Sequence, residues 1–155
     1  MICLATTTFE ELYSDFLFKV QDYQQRNLYL RDEKVATNLC LSFLKTAIAK
    51  FTNCKKDIQN PNLDLCVFNV ELTLTEKDIL TNLMVEAWLN RVCLNITQMN
   101  LTLNDNDFKH FAEEKNLEKK IETRDRQREI NAQQMWDYDF KNVPWTDWAS
   151  GNYAL

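Results

Sequence analysis

The residues that could do chemistry in this chain are few, and their spacing forms no familiar catalytic or metal-binding pattern. The 155 residues include a single histidine, His110, and five cysteines: Cys3, Cys40, Cys54, Cys66 and Cys93. No two cysteines form a C-x-x-C pair, so we expect neither a zinc site nor a disulfide framework. A lone histidine excludes every site built on paired histidines. A Cys–His dyad that joins His110 to Cys40 or Cys93 remains open, because spatial neighbours are invisible in a sequence.

Other ligand-binding patterns are excluded by composition. Gly151 is the only glycine, which rules out a Gly-rich phosphate loop. The run Asn104–Asp107 resembles a calcium loop, but the loop glycine and the distal glutamate are missing, so a turn before a helix is expected. We therefore expect no metal, no cofactor and no enzymatic activity.

The charge and hydropathy of the chain restrict its partners. The net charge is −5, so the average field repels DNA and anionic lipid. No stretch of about 18 apolar residues occurs, so no membrane span is expected. The opening residues Met1–Ala5 lack a basic lead and are too short an apolar run for a signal peptide, which predicts reduced thiols in a cytoplasm.

The first two helices carry clear start signals. Helical spacing of apolar residues predicts a helix over Phe9–Tyr23, with Thr8 and Glu11 forming a capping box. A second helix is predicted over Glu33–Asn53, with Asp32 as its N-cap. Its broad apolar face predicts a central position in the fold.

The third helix has the strongest local start signal. Thr75 is predicted as its N-cap with Asp78 as the reciprocal partner, and Leu74 and Ile79 are predicted to form a hydrophobic staple. The helical pattern fades near Asn95. A fold that is mostly α is therefore expected.

The fourth predicted helix, about Glu113–Met135, is highly charged and has few apolar anchors. Such a helix is either solvated or contacts other chains through salt bridges, and both alternatives stay open. Arg124 and Arg128 are the candidate charged contacts on this helix.

The last twenty residues differ from the rest because they are rich in aromatic rings. They either fold back onto the core of their own subunit or dock on a neighbouring subunit or partner; tryptophan and tyrosine dominate binding hot spots, which favours docking. The candidate interaction residues are Trp136, Tyr138, Phe140, Trp145, Trp148 and Tyr153.

These patterns together predict a small bundle of about four helices with an extended aromatic C-terminal arm. The predicted division is a helical domain over residues 1–135 and an arm over 136–155, and Leu63–Leu72 is either a short strand or an extended connection. The predicted core consists of Phe16, Val20, Phe43, Leu44, Ile48, Phe51, Leu80, Leu83, Met84 and Trp88.

Three motifs in this order carry a family resemblance. They are LTLTEKDIL over Leu72–Leu80, LMVEAWL over Leu83–Leu89, and LNDNDFKHF over Leu103–Phe111, followed by a charged helix that ends in Tyr138–Phe140. Over about residues 8–138 the chain resembles the small head–tail connector proteins of tailed bacteriophages, also called adaptor, neck or head-completion proteins. It departs from that pattern after Phe111, where a small-residue and proline stretch is replaced by Ala112–Lys115.

The resemblance implies a structural role in the virion, at the head–tail junction, for a protein made in the host cytoplasm. Such proteins form closed rings, usually twelve-fold, that dock on the portal, meet other neck or tail proteins, and extend the channel through which DNA passes without specific binding. They are not enzymes. A small cytoplasmic helical adaptor or regulatory protein, binding one partner through its aromatic tail, is the alternative.

Overall fold

The computed structural model describes residues 6–20, 31–102 and 107–141 of the chain. Within these ranges the expected small, mostly α bundle is confirmed. Its helices are α1 (Phe9–Val20), α2 (Glu33–Lys50), α3 (Leu74–Thr102) and α4 (Asp107–Lys141). None of the helices in these ranges is long and apolar enough to cross a membrane.

The starts of α1 and α2 lie where their caps predict. The Thr8 hydroxyl accepts a hydrogen bond from the Glu11 amide at 3.4 Å. Asp32 accepts one from the Val35 amide at 3.1 Å. Each bond satisfies an amide that has no partner within the helix, and this fixes the first turn. Helix α2 ends at Lys50, three residues before the predicted end at Asn53.

Helix α3 begins two residues earlier than predicted, and its cap is a different pair. The Thr73 hydroxyl accepts from the Glu76 amide at 3.3 Å, while the Glu76 carboxylate accepts from the Thr73 amide at 2.7 Å. This is a complete capping box. The predicted staple of Leu74 with Ile79 is wrong as well, because the Leu74 side chain is 85% exposed.

The central helix is α3 rather than α2, which corrects the expectation from apolar spacing. Helix α3 packs against each of the other three helices. It can do so because it buries residues around its circumference, and some of these are polar: Glu76, Thr81 and Glu86. Their hydrogen-bond partners come from neighbouring helices and from the cap, so the polar positions do not restrict α3 to one buried face.

Helix α4 is longer than predicted at both ends. It covers 35 residues and continues past Met135 to Lys141, so residues 136–141 of the predicted arm are helical. No glycine or proline occurs within α4, and Pro144 is the first helix-breaking residue after it. The predicted boundary between residues 135 and 136 therefore falls inside a continuous helix.

Most of the predicted core is buried. Eight of the ten predicted residues are buried, while Val20 and Trp88 are partly buried and pack against the rest. The core also includes residues outside the predicted ten: Phe9, Leu12, Cys40, Ala47, Ile58, Phe68, Leu72, Ile79, Ala87 and Tyr138.

The connection between α2 and α3 is extended and irregular, with isolated bridges where a short strand was considered. Val67 pairs with Asn62 and with Thr8. Cys66, next to it, has a φ of 54°, in the left-handed region. The Phe9 amide donates to the Cys66 carbonyl at 2.9 Å, which ties this turn to the start of α1.

Candidate interaction surface

Two of the predicted interaction residues form an exposed aromatic patch near the end of α4. Trp136 and Phe140 are four residues apart, so they lie on the same face of the helix. Their ring centroids are 5.2 Å apart and the rings are stacked, with an interplanar angle of 20°. Trp136 is 61% exposed and Phe140 is 47% exposed. We refer to this pair as the aromatic stack.

Tyr138 lies between these two residues in sequence but on the other side of α4. It is 8% exposed, and its ring contacts that of Phe51 with a centroid distance of 5.3 Å. Its hydroxyl donates a hydrogen bond to Glu76 Oε1 at 2.8 Å. The expectation that Tyr138 contacts a partner is therefore corrected: a residue two positions from Trp136 points about 200° away from it, into its own subunit.

Further hydrogen bonds hold this end of α4 on the bundle. The Asn53 amide donates to the Met135 carbonyl at 3.0 Å and to Asp139 Oδ2 at 2.7 Å. On α3, the Asn82 amide donates to Gln134 Oε1 at 2.8 Å. The end of α4 that carries the aromatic stack is thus held to the segment after α2 through Asn53 and to α3 through Asn82.

The buried carboxylate of Glu86 organises a second cluster between α2, α3 and α4. Lys50 Nζ lies 2.7 Å from Glu86 Oε1, and Asn131 donates to Glu86 Oε2 at 2.9 Å. Burial alone raises the pKa of Glu86, but the hydrogen bonds from Lys50, Asn131 and Arg128 outweigh it, so the pKa lies below its usual value.

The two arginines predicted as contacts have acidic partners in their own chain. Arg128 Nε lies 3.3 Å from Glu86 Oε1. Arg124 forms an ion pair with Asp125 at 2.7 Å. Both guanidinium groups therefore have an acidic partner within the subunit. Trp145, Trp148 and Tyr153 lie outside the described residues.

A second exposed apolar surface, between α1 and the start of α3, was not among the sequence-based predictions. Phe18 on α1 is 80% exposed, and it borders a groove that it shares with Leu74 at the start of α3. The groove has a volume of about 290 Å³. Its charged lining residues are Asp15, Lys19, Lys77 and Asp78. We refer to it as the Phe18–Leu74 groove.

The sequence did contain a signal for this groove. Phe18 falls outside the inward face of α1 that is formed by Phe9, Leu12 and Phe16. A large aromatic residue on the polar side of an amphipathic helix has no place in the core of its own subunit. Phe18 is missed when only the apolar face of α1 is considered.

Both cysteines that the sequence left open as nucleophiles lie in described helices. Cys40 is buried, and burial raises its pKa to about 11, which keeps the thiol protonated near neutral pH. Cys93 is also buried, and the side chain of His110 lies outside the described part of the chain. No group of three or more histidine, cysteine or carboxylate side chains that could hold a metal ion occurs among the described residues.

Comparison of the chain with protein-family models, with curated proteins and with solved structures returns no match in any of the three.

Proposed function

We propose that this chain is a structural protein that assembles with copies of itself and with other proteins through the exposed end of α4. The observation that carries the proposal is the aromatic stack of Trp136 and Phe140, which is exposed on a helix end whose other side is fixed by Tyr138. Exposed aromatic pairs on an anchored helix are typical of protein-binding surfaces.

The anchoring of the helix matters to binding. A side chain that is free before association loses conformational entropy when it binds, and this lowers the affinity. Stacking on Phe140 restricts the Trp136 ring, and the bonds from Asn53 and Tyr138 hold the backbone beneath it. Much of the entropic cost of presenting this surface is therefore met by folding rather than by binding.

We assign the assembly to the class that the three sequence motifs resemble. In this proposal the chain forms a ring at the head–tail junction of a tailed-phage virion, docks on the portal, meets other neck or tail proteins and extends the DNA channel. Its net charge of −5 suits a channel that DNA must slide through, because each basic contact to a phosphate adds affinity. The twelve-fold copy number and the assembly in the host cytoplasm are carried by the resemblance alone.

The test is assembly of the purified full chain with the portal and neighbouring neck proteins, followed by native mass spectrometry. The wild-type chain is expected in a multi-copy complex. Trp136→Ala combined with Phe140→Ala is expected to lower the complex at least tenfold, since losing two hot-spot aromatics costs about 2 kcal/mol or more. Leu65→Ala is the matched control, because Leu65 is an exposed apolar residue on the α2–α3 connection.

Two outcomes contradict this proposal. A chain that stays monomeric with every virion component is not a connector. A one-to-one complex with a single partner from outside the virion, lost in the same double variant, would replace the connector with a cytoplasmic adaptor that uses the same aromatic surface.

A further inference from the structure

A buried carboxylate of α3 joins a cation at the end of α2 to a neutral donor on α4. Lys50 Nζ lies 2.7 Å from Glu86 Oε1, and the Asn131 amide donates to Glu86 Oε2 at 2.9 Å. Arg128 of α4 is a second cation on Oε1, at 3.3 Å. Glu86 is 2% exposed, so these partners take the place of water around its charge. We refer to Lys50, Glu86 and Asn131 as the Glu86 relay.

A second relay repeats this arrangement nearer the start of α3. Lys56 Nζ, in the connection after α2, lies 3.2 Å from Glu76 Oε2, and the Tyr138 hydroxyl of α4 donates to Glu76 Oε1 at 2.8 Å. The Thr73 amide also donates to Oε2, at 2.7 Å, and Lys56 donates to the Glu71 carbonyl as well. We refer to Lys56, Glu76 and Tyr138 as the Glu76 relay. In both relays the lysine and the α4 donor bind different oxygens, so the carboxylate links the lysine to α4.

The lysines of both relays are reachable from solvent, whereas their carboxylates are not. The side chains of Lys50 and Lys56 are 37% and 33% exposed, and those of the two glutamates are 3% exposed. A carboxylate inside a protein stays ionised only while cations and hydrogen bonds compensate for its lost hydration. Burial raises the pKa of Glu86, and Lys50 comes first among the partners that bring it below its usual value. The ammonium groups are thus the accessible parts of two relays that end on α4.

We propose that the positive charges of Lys50 and Lys56 set how firmly the end of α4 is held, with Glu86 and Glu76 transmitting the effect. A hydrogen bond to an ionised carboxylate is about twice as strong as one between neutral groups. A carboxylate that loses its lysine takes up a proton or turns toward water, and in both cases the α4 donor loses its strong acceptor. Any contact that draws an ammonium group away therefore loosens α4 without touching it. This device goes beyond the proposed function and does not depend on what the aromatic stack binds.

Hydrogen–deuterium exchange of the full chain measures the hold on α4 locally. Lys50→Gln removes the charge, and Lys50→Arg is the matched control that keeps it. Exchange of the α4 peptide 131–141 is expected to rise at least about threefold in Lys50→Gln, because local opening of this segment becomes easier. The α1 peptide Phe9–Val20 contributes no group to either relay and should stay within about twofold of wild type. Lys50→Arg is expected to exchange like wild type in both peptides.

A double-mutant cycle in urea unfolding tests whether Glu86 transmits the effect. Lys50→Gln is combined with Asn131→Ser, and the folding equilibrium constant is expected to fall at least about threefold less than the product of the two single losses. Lys50→Gln with Tyr138→Phe crosses from one relay to the other, and these losses should multiply within about twofold. In a Glu86→Gln background, where the transmitting charge is gone, the coupling of Lys50 with Asn131 should vanish.

The Glu76 relay offers milder substitutions, so a fold weakened by Asn131→Ser does not end the test. Lys56→Gln with Tyr138→Phe is expected to show coupling in the same direction but of smaller size. Burial raises the pKa of Glu76, and Thr73 and Tyr138 come before Lys56 among the partners that lower it. Glu76→Gln is the background without the charge, and it keeps the capping box because glutamine also serves at that position.

Exchange that rises equally in the α1 and α4 peptides of Lys50→Gln would overturn the proposal, since the lysine would then stabilise the whole fold rather than hold α4. An absence of coupling in both relays would overturn it too. So would coupling of the opposite sign, in which the α4 donor contributes more once the lysine is neutral. No assembly partner enters these measurements, so their failure leaves the proposed function to its own test.

Discussion

The hydroxyl of Tyr138 donates a hydrogen bond to the carboxylate of Glu76 at 2.8 Å, across 62 positions of sequence. Glu76 is also the carboxylate that closes the N-terminal capping box of α3 with Thr73. The end of α4 is therefore locked to the start of α3 through one buried side chain. The same contact turns Trp136 and Phe140 to the outside of the bundle.

Removing the hydroxyl in Tyr138→Phe is expected to destabilise the fold without loosening the Phe51 ring contact. Hydrogen bonds to charged groups contribute about 1.5–3 kcal/mol, so the free energy of unfolding from urea titration should fall by about that amount. Tyr13→Phe is the control, because no hydrogen bond is seen at the Tyr13 hydroxyl among the described residues. Equal losses in the two variants would contradict a special role for Tyr138.

The position of the α3 cap can be tested with two threonines two residues apart. Thr73→Ala removes the hydroxyl that accepts from the Glu76 amide and is expected to cost about 1 kcal/mol. Thr75→Ala, inside the first turn, is expected to be neutral or slightly stabilising, since alanine is the better helix former. Urea unfolding that ranks the two variants in the opposite order would restore the cap predicted at Thr75.

Two buried glutamates predict how stability depends on pH. The hydrogen-bond partners of Glu76 and Glu86 hold both pKa values below the ordinary 4.5, although burial alone raises them. A carboxylate with a lowered folded pKa stabilises the fold above its unfolded pKa, and this stability is lost as the pH falls through the folded pKa. The urea midpoint should therefore decline as the pH drops below about 4.5.

The variant Glu86→Gln should flatten that decline, because an amide does not titrate. It should also be less stable at pH 7, where the wild-type carboxylate holds Lys50 and Arg128. Glu129→Gln is the control, an exposed position on α4. A Glu86→Gln curve parallel to wild type from pH 7 to 3 would show that Glu86 contributes nothing to the acid sensitivity.

The centre of α3 predicts a large packing effect at one leucine and almost none at another. Leu83 is buried in the main core, and Leu83→Ala is expected to cost about 2–5 kcal/mol. Leu94, on the same helix, is exposed, and Leu94→Ala should change stability by less than about 0.5 kcal/mol. A small loss at Leu83 in urea unfolding would contradict its place in the core.

Local signals in the sequence were sufficient for the caps of α1 and α2. Thr8 and Asp32 each precede an apolar helical pattern, and both cap their helices. At α3 the chain offers two threonines, each followed three residues later by an acid. The longer side chain of Glu76 reaches back to the Thr73 amide. Glu76 is also buried against Tyr138 on α4, a contact between distant segments that local sequence patterns do not predict.

Non-local pairing explains the other differences. Glu86 and Asn131 have polar side chains that are usually found at the surface, yet both are buried, and Asn131 donates a hydrogen bond to Glu86 at 2.9 Å. Because Trp136 and Phe140 are four residues apart, they lie on the same face of α4 once this helix is known to continue past Met135. Their exposure depends on which face of α4 meets α3, and that is decided by Gln134 and Tyr138.

The order of synthesis gives the α4 anchor a further consequence. Glu76, Glu86 and Phe51 are made well before the residues of α4 that cover them, Asn131 and Tyr138. In a nascent chain that has emerged only as far as α3, the carboxylates of Glu76 and Glu86 and the ring of Phe51 therefore lack the α4 side chains that cover them in the folded bundle. These contacts can form only after the residues of α4 have emerged from the ribosome, so the same event covers Glu76 and Glu86 and places Trp136 on the outside of the bundle.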